Sequence, residues 1–449
     1  MWGLPRPVAV DPRAWRLLAI FVATIVGIAA RPLPMSAVAV VGLAVVVATR
    51  TLTLTESLSG FSNGTVWLVV AAFFIASGFR KTGLGARIAY GLVSLFGRST
   101  LGLAYSLVAS DLVLAPAIAS NTARVGGVIF PILQSICDAA LARDPIKGRQ
   151  TSAFLTLTSY QGTVVTSAMF LTAMVANPLV VQLAADQNIT ITWAMWATAA
   201  AVPGILSLAI TPFVVYRLCP PGVTSTPEAP ALARSALESL GPMSRGEWLM
   251  GATTFCLVFA WIFGARVGLD ATAAALIAVA VLLLTNVLAW DDLLREREAW
   301  NTFVWFAVLV MMASFLSQLG LIKWFSGHIS TTLSGTPWVP GFLGLSLIYF
   351  YSHYFFASNT AHIGAMYAPF LVVALALGTP PYLAALVLAF FSNLFSCTTH
   401  YGTPPGPILF GSGHVRLSTW WKAGAILSVV HIVIWLTVGA SWWRVLGLW

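Results

Sequence analysis

The pentapeptide "ASNTA" occurs twice, at Ala119–Ala123 and again at Ala357–Ala361. Each copy presents a serine hydroxyl, an asparagine amide and a threonine hydroxyl: Ser120, Asn121 and Thr122, then Ser358, Asn359 and Thr360. These are neutral groups that donate and accept hydrogen bonds. They suit the holding of an anion, above all where a helix begins and its first N–H groups point outward. Directly after each copy stands a basic residue, Arg124 or His362. A fixed cation beside such a tip would offset the charge of a bound dianion. Bond-breaking chemistry is a poor fit, because the chain has no HExxH motif and only six histidines. A GxxxxGK[ST] phosphate loop is also missing, which argues against ATP-driven work.

The match extends beyond five residues. "SNTARVGGVIFP" from Ser120 and "SNTAHIGAMYAP" from Ser358 both fit S-N-T-A-x-x-G-x-x-x-x-P, at an offset of 238. Gly83-Leu84 pairs with Gly320-Leu321 at an offset of 237, and "YQGT" (Tyr160–Thr163) with "HYGT" (His400–Thr403) at 240. Landmarks in register predict a structural repeat. Each half should therefore hold two helix interruptions. One is the Ser-Asn-Thr turn. The other is a break at Gln161, Gly162 and Thr163 in the first half and at Thr399, His400, Gly402 and Thr403 in the second. Pro404, Pro405 and Pro407 make the second break firm.

The elements that must position these residues are membrane helices. The chain has 449 residues, 59% hydrophobic and 8% charged, whereas a soluble domain carries about 25% charged residues. Apolar runs approach the roughly 20 residues that span a bilayer, and they do not alternate as barrel strands do. The reading is an all-α polytopic membrane protein with about eleven transmembrane helices plus two interrupted hairpins, near 101–142 and 338–377. The first repeat covers 1–219 with an extra N-terminal helix, a polar Pro- and Ser-rich linker covers 220–245, and the second repeat covers 246–449. An odd number of spans per repeat would invert the second copy in the membrane, and inverted repeats of this kind build secondary transporters with midplane sites. Such a pocket suits a small dicarboxylate. Net charge is +9, which fits basic cytoplasmic loops, and no basic run with interleaved aromatics points to nucleic acid. The four cysteines lack CxxC spacing and read as buried small side chains, and no metal site is indicated.

At these residues the sequence resembles the divalent anion/sodium symporter (DASS) family, whose signature is a Ser-Asn-Thr motif in each inverted repeat at the tip of a re-entrant hairpin. The resemblance extends over "SDLVLAPAIASNTARVGGVIFPI", "HYFFASNTAHIGAMYAPFL" and "THYGTPPGPILFGSG". It is greatest toward the branch of 2-oxoglutarate/malate translocators and bacterial citrate or tartrate/succinate antiporters. It implies substrate contacts at the six Ser-Asn-Thr positions, a homodimer in the bilayer, an elevator-type motion, and no cofactor beyond a coupling Na⁺. Sodium-coupled members carry a small neutral residue where this chain has Arg124 and His362. That difference favours obligate exchange of dicarboxylates over Na⁺- or H⁺-coupled symport. Asp111 is a candidate partner for a basic residue, and His353, lacking a repeat counterpart, reads as core.

Overall fold

A computed structural model describes residues 6–30, 32–332, 335 and 337–449. Among these the chain is helical, without a named strand. The first half runs α1 (Pro12–Ala30), α2 (Met35–Ala48), α3 (Gly64–Thr82), α4 (Leu84–Phe96), α5 (Thr100–Leu114), α6 (Asn121–Arg143), α7 (Pro145–Met169), α8 (Ala176–Ala185) and α9 (Trp193–Leu218). After α10 (Glu228–Ser239), the second half runs α11 (Arg245–Phe263), α12 (Ala271–Leu284), α13 (Arg297–Gln318), α14 (Leu321–Thr332), α15 (Trp338–Tyr351), α16 (Asn359–Ala376), α17 (Pro381–Leu394), α18 (Pro405–Gly411) and α19 (Leu417–Val445). Eight of these are long and apolar enough to cross a bilayer, α11 and α17 being taken with the 3-10 turns that carry them to Val267 and Thr398, and five shorter apolar helices lie among them: α2, α4, α5, α8 and α12. Of the spans read from sequence, the one at 14–30 (α1) and the 151–169 part of the interrupted one (α7) fall in neither set.

Helix starts follow local chemistry. Asn63 accepts from the N–H groups of Thr65 and Val66 at the head of α3, Asp144 caps α7 and Thr192 caps α9. The Gly83 and Gly320 landmarks end α3 and α13 with left-handed φ of 78° and 80°, a conformation that glycine adopts without steric cost. Two packing neighbourhoods emerge. Helices α1–α3, α12 and α13 pack on one another, while α5–α9 pack with one another and with α16–α19. Helices α8 and α16 touch both sets.

The 220–245 stretch does more than link. Its extended part docks on the α4–α5 turn: the Thr100 N–H donates to Thr224 O at 3.1 Å, and the Thr226 N–H to Arg98 O at 2.9 Å. Its apolar positions Ala229 and Ala233, four residues apart, are buried as one face of α10, which packs on α4.

Candidate functional site

The two Ser-Asn-Thr turns form helix N-termini of the same build. Ser120 and Ser358 are extended residues at the heads of α6 and α16. The Ser120 oxygen accepts from the Ala123 N–H at 3.1 Å and the Ser358 oxygen from the Ala361 N–H at 3.3 Å. The serine is thus a cap, and its own hydroxyl hydrogen remains free to donate. The next N–H groups, of Arg124 and His362, go to Ser120 O and Ser358 O. That leaves the N–H groups of residues 121, 122, 359 and 360 as the open donors of each tip. Half-buried Thr122 and Thr360 have no side-chain hydrogen bond among the described residues. The asparagines are structural as well: Asn121 Nδ2 donates to Thr403 Oγ1 at 3.1 Å, and Asn359 Nδ2 to Ser396 Oγ at 2.7 Å and Ser392 O at 3.2 Å. Both tips are therefore tied to the end of α17 and the segment after it.

Arg124, expected as a fixed cation beside the first tip, lies inside the protein and not on an open surface. Its side chain is 0% exposed and pairs with Asp111 at 2.9 Å, so its charge is answered within the protein. It also donates to Ile118 O at 2.8 Å, Ala173 O at 2.5 Å and Ser167 Oγ at 3.2 Å. Asp111 takes a further bond from Thr166. The guanidinium fork fills a nest of oxygens between the first tip and the segment after α7. A five-residue π-turn at Val125–Ile129 follows it, one residue short of Pro131, whose missing N–H breaks the helical ladder.

The first break is not where the sequence placed it. Helix α7 runs unbroken through Gln161, Gly162 and Thr163 to Met169. Gly162 serves close packing: a Cβ there would lie 2.6 Å from Val108 of α5. The chain leaves the helix at Phe170 and resumes it at Ala176, so Ala176-Asn177-Pro178 and Thr403-Pro404-Pro405 are the equivalent restarts. The "YQGT"/"HYGT" pairing is therefore out of register, because α7 has 25 residues and α17 has 14. The mis-assigned residues nonetheless reach the site from the other side. The Tyr160 hydroxyl lies 2.6 Å from Ser396 O and 2.8 Å from Thr399 O, and Gln161 Nε2 donates to Cys397 O at 3.0 Å. Thr163 and Thr399 hydroxyls are buried without hydrogen-bond partners among the described residues.

These bonds explain how helices can stop inside the fold. Unpaired backbone groups in a bilayer must be satisfied by protein or a wet cavity. At the first break, Asn177 Nδ2 reaches Ser167 O and Phe170 O, Trp196 Nε1 donates to Ala168 O, and Arg124 holds Ala173 O. Asn393 Nδ2 donates to Asn177 Oδ1 at 2.8 Å and joins the two halves. The Asn177-Pro178 pair, a turn-favouring dipeptide, was the sequence signal for this break.

His362 is buried, and so is His353, which the sequence reads as core for want of a repeat counterpart. Their Nδ1 atoms are 3.0 Å apart, and His353 Nε2 lies 2.8 Å from Gly402 O. The pair thus ties the second tip to the second break, as Arg124 does for the first. Phe395 stacks on both rings, Phe356 stacks on His362, and Tyr349 lies against it. His400 is half-buried beside Phe410 and receives Trp421 Nε1 at 3.4 Å. Gly402 has no room for a side chain: a Cβ would lie 2.9 Å from Thr399 Oγ1 and 3.0 Å from His353 Nε2. Gly402→Ala should lower stability by about 1–3 kcal/mol, read as a fall in the thermal midpoint of the purified protein in detergent.

Helices that stop inside the fold around paired, donor-rich tips are the build of a membrane carrier. The overall arrangement is shared, at 11–13% identity, with two solved transporters. The YdaH transporter of Alcanivorax borkumensis superposes with a TM-score of 0.60 over 97% of this chain and 99% of that one. MtrF of Neisseria gonorrhoeae superposes with a TM-score of 0.61, over 97% and 96%. The model of the sodium:sulfate symporter transmembrane region matches residues 1–449, and the chain belongs to that family, the DASS transporters. It is a multi-span membrane protein and a transporter rather than an enzyme. Similar relatives include the "Putative malate transporter YflS" of Bacillus subtilis, 52% identical over 100% of this chain and 94% of the relative. "Dicarboxylate transporter 1, chloroplastic" of Arabidopsis thaliana is 51% identical, over 100% and 81%. "Inner membrane protein YbhI" of Escherichia coli is 37% identical, over 99% and 95%.

Proposed function

We propose that this protein exchanges dicarboxylates of the malate, 2-oxoglutarate and succinate class across a bacterial inner membrane. The two tips hold the two carboxylates. The open N–H groups of residues 121, 122, 359 and 360 and the hydroxyls of Ser120, Thr122, Ser358 and Thr360 donate to the substrate oxygens, and the helix dipoles favour the anion. Two inverted repeats, a homodimer and an elevator motion of the α5–α9 and α15–α19 assembly against α1–α3 and α11–α13 complete the reading. The names of the malate and dicarboxylate transporters among the relatives support the substrate class.

The observation that carries exchange is the Arg124 guanidinium on Ile118 O and Ala173 O. A tethered cation occupies the oxygen nest between tip and break that a mobile cation would otherwise fill. It is paired to Asp111, so the nest needs no Na⁺ in either state. When empty, the tips expose uncompensated donors whose passage through a dry interior is costly, so the carrier crosses loaded. Uptake of labelled malate into proteoliposomes should require dicarboxylate inside and ignore a Na⁺ gradient. Na⁺-driven uptake into empty vesicles overturns exchange. A second reading, Na⁺-coupled symport, is favoured by the buried Asn359 Oδ1 and Asn393 Oδ1, which lack hydrogen-bond partners and have no guanidinium counterpart of Arg124 in the second half among the described residues. The same assay separates the two.

A further inference from the structure

The second tip contains a hydrogen-bond chain that is one proton short. It runs Gly402 O, His353, His362, Ser352, Tyr349 O. The four separations are 2.8 Å (Gly402 O to His353 Nε2), 3.0 Å (Nδ1 to Nδ1), 3.2 Å (His362 Nε2 to Ser352 Oγ) and 2.9 Å (Ser352 Oγ to Tyr349 O). Both ends are backbone carbonyls, which only accept. Each link therefore needs one hydrogen from the three side chains between. A neutral imidazole supplies one and the serine hydroxyl one, which gives three hydrogens for four links. With both rings neutral, one contact brings two acceptors together or Ser352 must turn away from Tyr349 O. One added proton, making the dyad an imidazolium and an imidazole, closes every link: His353 donates at both nitrogens, His362 donates to Ser352, and Ser352 donates to Tyr349 O.

The surroundings decide when that proton is held. Phe395 lies with its centroid 3.8 Å from the His353 ring and 4.5 Å from His362, Phe356 lies 4.5 Å from His362, and Tyr349 lies 4.9 Å from it. The Tyr349 hydroxyl is turned away, to Ser392 Oγ. Among the described residues, the recorded contacts of the dyad from α15, α16, α17 and the break after α17 are these aromatics, Ser352 and the Gly402 carbonyl. No carboxylate is ion-paired with either ring among the described residues. Aromatic faces attract a cation but do not neutralise it. A counter-charge arrives only with substrate at the tip that His362 follows. The charge count agrees: two helix N-termini supply about +0.5 each, so a dianion leaves about one negative charge over.

Resting on the exchange reading above, we propose that the second tip binds one proton together with each dicarboxylate, shared between His353 and His362. The proton comes from bulk water and forms an N–H bond on the dyad as the substrate seats. It returns to water on release, and no other bond changes.

Calorimetric titration of the purified wild-type carrier with malate near neutral pH, in PIPES and in Tris, tests this. Those buffers differ in ionisation enthalpy, so the difference in observed heat counts linked protons. The expected result is an uptake approaching one proton per malate, with the apparent Kd rising about tenfold per pH unit where uptake is complete. His362→Gln and His353→Gln should bind more weakly with uptake near zero. Malate binding whose heat is the same in both buffers and whose Kd is flat from about pH 6 to 8 overturns the shared proton and leaves exchange standing. Absence of binding by malate, 2-oxoglutarate and succinate alike overturns the substrate reading, and the proton with it.

Discussion

Asp111→Asn should destabilise the protein by about 3–5 kcal/mol. The substitution leaves Arg124, fully buried, without the carboxylate it meets at 2.9 Å, and an unpaired interior charge is far costlier than an absent pair. The readout is the thermal midpoint of the detergent-solubilised protein. The double variant Asp111→Asn/Arg124→Gln should recover much of the loss, because it removes the stranded charge. Equal losses in single and double variants would show that the pair is not what holds the two segments. Arg124→Ala carries the argument to function. It leaves Asp111, Ile118 O, Ala173 O and Ser167 Oγ as an oxygen-lined nest with a net negative charge, a suitable environment for a hard cation. NaCl, but not choline chloride, should then raise the variant's thermal midpoint, while the wild type is indifferent to the choice of salt. A wild-type midpoint that rises specifically with Na⁺ sinks the view that the guanidinium stands in for a mobile ion.

The second large effect is expected at the two threonines. Thr122 and Thr360 are half-buried at the tips and form no side-chain hydrogen bond among the described residues, so their hydroxyls are the groups least committed to the fold. Hydrogen bonds to a charged partner contribute about 1.5–3 kcal/mol each. Thr122→Val and Thr360→Val should each raise the apparent KM for malate about 10- to 100-fold, with the thermal midpoint within about 1 °C of wild type. The double variant should lose measurable counterflow. Asn121 and Asn359 make a useful contrast, since their amides hold Thr403 and Ser396. Changing them should damage stability and transport together. Threonine variants that melt early with unchanged KM would make these residues structural glue, the ordinary role of hydroxyls between membrane helices.

Legibility in the sequence differed by position. The tips were readable because a helix N-terminus is a local event: a serine cap and the N–H groups after it need only adjacent residues. The second break was readable for the same reason, as Pro404, Pro405 and Pro407 disrupt a helix wherever they lie. The first break was misplaced because Gly162 has two meanings. In isolation it weakens a helix. Against Val108 it lets two helices close together, and only the neighbouring helix selects between these. The real break lies where Asn177, Trp196 and Arg124 converge on four carbonyls, and those donors come from three separate helices.

The sequence by itself determined that the chain lives in a membrane, that two donor-rich tips recur at one spacing, and that a basic residue follows each. Composition, capping and periodicity act over short ranges, so one dimension is enough to display them. Only the tertiary structure decided what the basic residues do. Arg124 reads from sequence as a fixed cation beside the tip, and the fold pairs that charge with Asp111, 13 positions back along the chain. His353 was read as filler, and the fold sets it against His362 and Gly402. Whether a buried ionisable group is paired, shared or open depends on which atoms meet it across space. Residue type and spacing constrain that choice but do not contain it.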